Sequence, residues 1–238
     1  MIEISLPRLL LSLAPLLIVA WLMVRWSGDC RELLMATGRM LLQLLLVGYV
    51  LVFLFQVENL WVHLGVVAFM VGMSSWIAIR TVKENRMQAY RDALLAIGLG
   101  GGAVFALVVF GVLGLGSDAE ARYLIPLAGM IFANGMTAVT LSAERFDAER
   151  LRGIELLEAR NIAWRSSLIP QINSFLAVGL VSIPGMMTGQ ILAGASPLSA
   201  VRYQIMVMAM ILGSAGLAVA LFLMRRVQAQ RRSLKNVP

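Results

Sequence analysis

The sequence predicts an all-α bundle of about seven membrane-crossing helices, and three observations carry that prediction. Apolar residues make up 60% of the 238 and charged residues only 14%, with a mean hydropathy of +0.84, more hydrocarbon than one soluble core of this length can hide. The apolar residues gather in runs near 20 long, the length that crosses a hydrocarbon core of roughly 30 Å at helical rise. Each run is apolar on all faces, without the in/out alternation of a barrel strand. The single cysteine, Cys30, excludes an intrachain disulfide framework and a four-cysteine metal site.

Taken in order, the first run is Ile4–Val24. It reads as a retained helix and not a cleaved signal peptide, because Glu3 precedes its one early cation, Arg8, and no small-residue cleavage site separates it from Arg25. Met40–Val57 and Leu60–Ile79 follow, joined by the tight hairpin Val57-Glu58-Asn59-Leu60. Ala93–Gly116 and Tyr123–Leu141 flank a short acidic turn at Ser117–Arg122. Leu168–Ala195 is long and interrupted at Ile183-Pro184-Gly185; a Ser-Pro loop, Ser196–Arg202, leads into Tyr203–Met224. The whole reads as one transmembrane domain, residues 1–238, with a charged helical segment at 142–167 and a basic tail at 225–238.

Charge orients the bundle. Of 20 Lys and Arg, 17 fall on one alternating set of connections and three (Arg8, Arg122, Arg202) on the other. The positive-inside rule then predicts the N-terminus outside and the C-terminus in the cytoplasm. With the 13 acids included, the cytoplasmic side carries +8 and the outer side −1, which accounts for the net +7. That excess is a topology signal directed at anionic lipid, not a nucleic-acid footprint.

The outer connections are too short to hold a folded domain. The 142–167 segment alternates its charges, with Phe146, Leu151, Ile154 and Leu157 spaced toward one helical face and Arg145/Glu149 and Arg152/Glu155 as supporting pairs. It reads either as a solvated extension of the fifth span or as a docking surface for a cytoplasmic partner. No G-x-x-x-x-G-K-[ST] phosphate loop and no H-E-x-x-H metal motif occurs. His63, the one histidine, reads as an interfacial polar residue and not a ligand.

Polar groups inside hydrocarbon are costly unless they face a partner or a cavity. Gln43 and Tyr49 in the second run, Asn134 in the fifth, and Asn173 and Gln190 in the sixth are therefore candidates for a substrate pathway or for interhelical glue. Gly129/Ala133/Thr137, Gly98/Gly102 and Gly185/Gly189 are small-residue pairs and stripes suited to packing. Pro184 and Gly185 mark either a kink or a discontinuous helix of the kind that lines transporter sites. Met186, Met187, Met206, Met208 and Met210 suit a soft cation or adaptable packing.

Three stretches carry a family resemblance: Gly38-Arg39-Met-Leu-Leu-Gln43 through Gly48-Tyr49, Ile125-Pro126 through Gly129 to Asn134, and Val178-Gly179 through Ser182-Ile-Pro184-Gly185-Met186-Met187-Thr-Gly189-Gln190 to Arg202-Tyr203-Gln204. Together with span order they resemble the FetB-type permeases over most of the chain. The resemblance implies the membrane subunit of an ABC transporter, with bacterial members linked to iron export and resistance to oxidative stress and plant relatives to aluminium tolerance. It implies a bacterial inner (plasma) membrane protein that is not itself an enzyme and binds no cofactor; ATP and magnesium sit on a separate ATP-binding subunit. A homodimer enclosing the route is expected from the scarcity of polar groups in one copy, with lipid as the other partner and no nucleic acid.

On that reading the pathway holds Gln43, Tyr49, Asn134, Pro184, Gly185, Met186, Met187 and Gln190, with no metal ligands assigned. ATPase coupling falls to Arg145, Arg150, Arg152, Glu155 and Arg160. The Leu-Gly-Ala-Thr-like turn typical of the family's coupling segment is missing from Glu155–Arg165. Two other classes compete: an ATP-independent carrier or channel for a metal or small solute, and a non-transporting scaffold. The first fits poorly with acids that lie only at or beyond the ends of the runs.

Overall fold

The computed structural model describes residues 5–57, 59–82, 85–115 and 121–235. Glu58 of the predicted hairpin and most of the acidic turn Ser117–Arg122 lie outside the described residues. Among the described residues no strand occurs, and six helices are long and apolar enough to cross a membrane: Pro7–Ser27, Arg31–Leu54, Leu60–Ala78, Arg86–Val112, Tyr123–Leu151 and Pro197–Arg232. The protein is a multi-pass helical membrane protein, as its composition predicts. It divides after Gln56 into two compact units.

The N-terminal unit holds α1 (Leu6–Ser12), α2 (Ala14–Ser27) and α3 (Arg31–Gln56). Gly28 ends α2 in the left-handed region (φ 77°), and its N–H donates to the Val24 carbonyl, closing the last turn as a glycine at this position does. Asp29 Oδ1 then accepts from Arg31 N at 2.7 Å and opens α3, with Glu32 in the first turn where the helix dipole favours an acid. No residue of α2 is buried, and Leu44, Leu45 and Phe53 of α3 stand exposed; such apolar surface is suited to hydrocarbon.

In the C-terminal unit, α4 (Leu60–Ala78) starts under an Asn59 cap that accepts from Trp61 N at 2.9 Å. His63 is buried, and its Nε2 lies 2.8 Å from the Val57 carbonyl, tying the start of α4 to the connection before it. The next helical stretch is α5 (Arg86–Ala96), a π-helical turn Ile97–Gly101, α6 (Gly102–Ala106) and a second π turn Leu107–Val112. Helices α7 (Ala121–Leu151), α8 (Leu156–Ala177), α9 (Gly185–Leu192) and α10 (Pro197–Lys235) complete the chain. Helix α10 packs against α5 through α9, so its core face, from Val207 and Met210 to Ala218, Val219, Phe222 and Val227, is the axis of the unit.

One feature the sequence left open between a kink and a break is decided by the structure, and two others differ from the sequence expectation. The sixth run is not one helix: α8 ends at Ala177, the chain turns through Val178–Ile183, and α9 begins after Pro184. The seventh run does not stop at Met224, because α10 runs unbroken for 39 residues, about 58 Å at 1.5 Å per residue, and takes in the basic tail. The 142–167 segment is not a straight extension of the fifth span. Gly153 (φ 81°) closes α7, with Gly153 N–H donating to Arg150 O and Ile154 N–H to Glu149 O, the pair of reversed bonds that terminates a helix and turns the chain.

Candidate functional site

The polar groups of the helices fall in different surroundings. Buried hydroxyls are spent locally: Ser75 donates to Val71 O, Ser142 to Val139 O, Ser167 to Trp164 O and Ser214 to Ile211 O, each satisfied by its own helix and leaving no free chemistry. Asn134 also bonds within its helix, its Nδ2 donating to Met130 O at 2.9 Å. Gln43 and Tyr49 lie on α3 of the N-terminal unit with exposed side chains, Tyr49 at 81%.

Around the interrupted helix the chain opens a cavity of about 510 Å³, lined by Met130 of α7, Pro170, Asn173 and Ser174 of α8, Ser182 and Pro184 of the turn, Met186 of α9, and Gln204, Val207, Met208 and Ile211 of α10. Local sequence makes this space. Pro170 sits inside α8, where it lacks an N–H and removes one ladder bond. Ala177 O accepts from the N–H groups of Leu180, Val181 and Ser182 at 3.2, 2.8 and 3.2 Å, so the last turn of α8 folds onto its own end. Gly179 takes φ 81° to allow it, a conformation that a Cβ makes costly.

Pro184 is not a mid-helix kink. It is the extended N-cap residue of α9 (φ −60°, ψ 137°), a position where its missing N–H costs no helical bond. Thr188 N–H donates to Pro184 O, and no side chain caps the N–H groups ahead of it. Of the predicted pathway residues, Pro184 and Met186 line the cavity, and Asn134 bonds to the backbone of lining residue Met130. Gly185, Met187 and Gln190 lie on α9 but are not among the lining residues. Asn173 and Met208, noted in the sequence, do line it. Gln204 was missed as a site residue: only 6% exposed, its Oε1 buried without a hydrogen-bond partner. A glutamine just inside an apolar run was the available signal.

The second constellation lies where α5, α7, α8 and α10 come together. Glu149, 3% exposed, pairs with Arg145 at 2.6 Å and with Arg152 at 3.3 Å. Arg150 donates to Gln230 Oε1 at 3.1 Å and to the Ile154 carbonyl. Adjacent Arg225 and Arg226 bind Asp92 and Asp147, each at 2.6 Å, lashing α10 to α5 and α7. Arg152 therefore pairs with Glu149 and not with Glu155, which instead caps α8 by accepting from Glu158 N. Arg160 bonds to Asn161. Of the expected apolar face, Phe146 is fully buried and Ile154 and Leu157 pack on the core, but Leu151 is 90% exposed. Asp92, at the N-terminal end of the fourth run, is a buried acid inside α5.

The glycine pairs also sort differently. A Cβ on Gly100 would lie 2.8 Å from Ala218 N, whereas Gly102, Gly185 and Gly189 face open space. Close helix approach is thus made at Gly100 in the π turn. Gly98, by contrast, would meet only the Val71 side chain.

Comparison with known proteins gives the lineage. The family model described as Uncharacterised protein family (UPF0014) matches residues 7–159 and 154–229. The chain is 34% identical to the probable iron export permease protein FetB of Escherichia coli, over 87% of this chain and 86% of the relative. It is 34% identical to a UPF0014 membrane protein of Synechocystis over 80% of each. With the Arabidopsis thaliana protein ALUMINUM SENSITIVE 3 the identity is 34%, over 77% of this chain and 71% of the relative. No solved structure matches.

Proposed function

The chain belongs to the UPF0014 family of membrane proteins, and from that premise we propose that it is the permease subunit of an ATP-driven metal exporter. Iron is the cargo, and a separate ATP-binding subunit does the hydrolysis. The observation that carries the reading is the cavity built around the interrupted α8–α9 segment. Non-helical backbone at membrane depth is tolerated where it lines a cavity, and discontinuous helices are a recurrent way to build a transport site. The similarity to a relative named as a probable iron export permease supports the cargo. Pro184 and Met186 form its wall, Gly185, Met187 and Gln190 the adjoining helix, and Asn134 the support of Met130; Gln43 and Tyr49 lie on α3 and are not among the lining residues.

The α7–α8 corner supplies a place for the partner. Leu151 and Arg152 are exposed at the reversal, Glu155 caps the start of α8 and Arg160 lies in its first turns, while Arg145 and Arg150 hold the corner to its own helices. On this reading the corner, the C-terminus and the basic connections face the cytoplasm of a bacterial inner membrane, and two copies enclose the route. Force applied to the corner reaches α10 through Arg150–Gln230 and Arg226–Asp147, and α10 carries it to Gln204 and Met208 in the cavity.

Everted vesicles containing this chain and a co-expressed ATP-binding subunit should accumulate radioactive iron only with ATP. Accumulation without ATP or partner would instead indicate an ATP-independent carrier, and no accumulation under any condition a scaffold.

A further inference from the structure

We propose that the cavity at the α8–α9 interruption takes a bulky ligand with an apolar body and acceptor oxygens. On the exporter reading, on which the metal part of this inference rests, iron therefore travels as an oxygen-donor organic chelate and not as a bare cation.

Four observations converge. The first is charge: among the described residues the lining includes no Asp, Glu, His or Cys, only the neutral polar groups of Asn173, Ser174, Ser182 and Gln204. A di- or trivalent ion shedding its water there would meet no compensating charge.

The second is the polarity of the interruption. At the C-terminal end of α8, where carbonyls would attract a cation, two of the last four are taken: Ala177 O accepts three N–H groups and Ser174 O accepts Val178 N–H. At the start of α9, Gly185, Met186 and Met187 are the first three residues after the Pro184 cap and no side chain caps them. Their N–H groups precede the first intrahelical bond; of the three residues only Met186 lines the cavity, so the start of α9 brings to that wall one uncapped N–H and the positive end of a dipole, which favour oxyanions and carbonyls over a cation.

The third is size. A space of about 510 Å³ lies within the range of about 300–1,000 Å³ typical of small-molecule sites and is far larger than one dehydrated ion needs. The fourth is the wall: Met130, Met186 and Met208 face it together with Val207 and Ile211. Thioethers are poor ligands for hard ferric iron but shape themselves to irregular apolar bodies. Gln204, buried in the same wall, carries an Nε2 amide able to donate to a ligand oxygen, while its unpartnered Oε1 is an acceptor that needs a donor.

The full chain in lipid nanodiscs tests this by equilibrium dialysis against three probes: neutral tris(maltolato)iron(III), ferrous ion kept reduced, and Ag(I). The chelate should bind saturably and the two bare ions should not. Met208→Trp, which narrows the cavity, and Gln204→Leu, which keeps volume but removes the amide, should each weaken chelate binding about tenfold or more. Both variants are checked for an unchanged elution profile and melting temperature, and Gln204→Leu carries the test if Met208→Trp fails to fold. Absent or variant-insensitive chelate binding overturns the proposal. So does saturable Ag(I) or ferrous binding lost in Met130→Leu and Met186→Leu, which would make this a thioether cation site. Cellular iron efflux separates the two readings. Efflux lost on gene deletion, together with bare-ion binding, sinks the chelate alone. Unchanged cellular iron with chelate binding intact sinks the exporter and leaves the site standing.

Discussion

A methyl group at position 100 has nowhere to go. Its Cβ would lie 2.8 Å from Ala218 N and 3.1 Å from Ala218 Cα, backbone atoms that move only if α10 moves. Gly100→Ala should therefore lower stability in detergent by roughly 1–3 kcal/mol, the scale of an overpacked core. Gly102→Ala, in open space on a helix, should be neutral or stabilising by up to about 1 kcal/mol. A melting series on the two variants checks the contrast; equal losses would remove the argument. The sequence offered Gly98/Gly102 by spacing, but spacing cannot say which face of a π-widened turn meets another helix. Asp92 makes the same point with charge. It is 3% exposed and bound to Arg225, 133 positions away. Arg225→Ala strands the carboxylate and should cost roughly 1–3 kcal/mol, reduced from a fully buried pair because the arginine is partly solvated. Asp92→Asn combined with Arg225→Ala should lose less than the sum of the single changes, and strict additivity would show that the pair is not coupled.

At the scale of elements, the corner between α7 and α8 separates structure from coupling. Gly153 holds φ 81°, so Gly153→Ala should cost about 1 kcal/mol or more through left-handed strain. Leu151 is 90% exposed, so Leu151→Asp should leave the melting temperature within the roughly 0.5 kcal/mol expected of a surface change. If the proposed partner docks there, the same change should abolish co-purification with the ATP-binding subunit; retained co-purification would move the docking surface elsewhere. The alternating charges and Phe146 were legible as a helix, and the resemblance pointed to coupling. The reversal at Gly153 was not, because a glycine within a helical pattern has several meanings until its dihedral is known. The sixth run shows a related limit. Pro184 and Gly185 announced a discontinuity, but the fold-back at Ala177 depends on bonds to a single carbonyl, and hydropathy does not register it.

For the whole molecule, the proposed orientation makes a prediction that the chain's own chemistry can check. Cys30, the one cysteine, is partly exposed between α2 and α3 and falls on the arginine-rich side. A membrane-impermeant maleimide should label it in everted vesicles and not in intact cells, and the opposite result would invert the topology. Length and hydropathy by themselves determined that this is a multi-pass helical protein, because hydrocarbon requires every backbone group to be bonded within its own helix and sets how long that helix must be. The residues of the interruption were also readable, since Pro and Gly act on local backbone. Only tertiary structure decided that α10 runs from the cavity to the ion pairs of the basic tail and that Gln204 joins Met130, Met186 and Met208 around one space. These are relations between surfaces far apart in the chain, where composition is equally apolar on every face, and packing alone selects which faces meet.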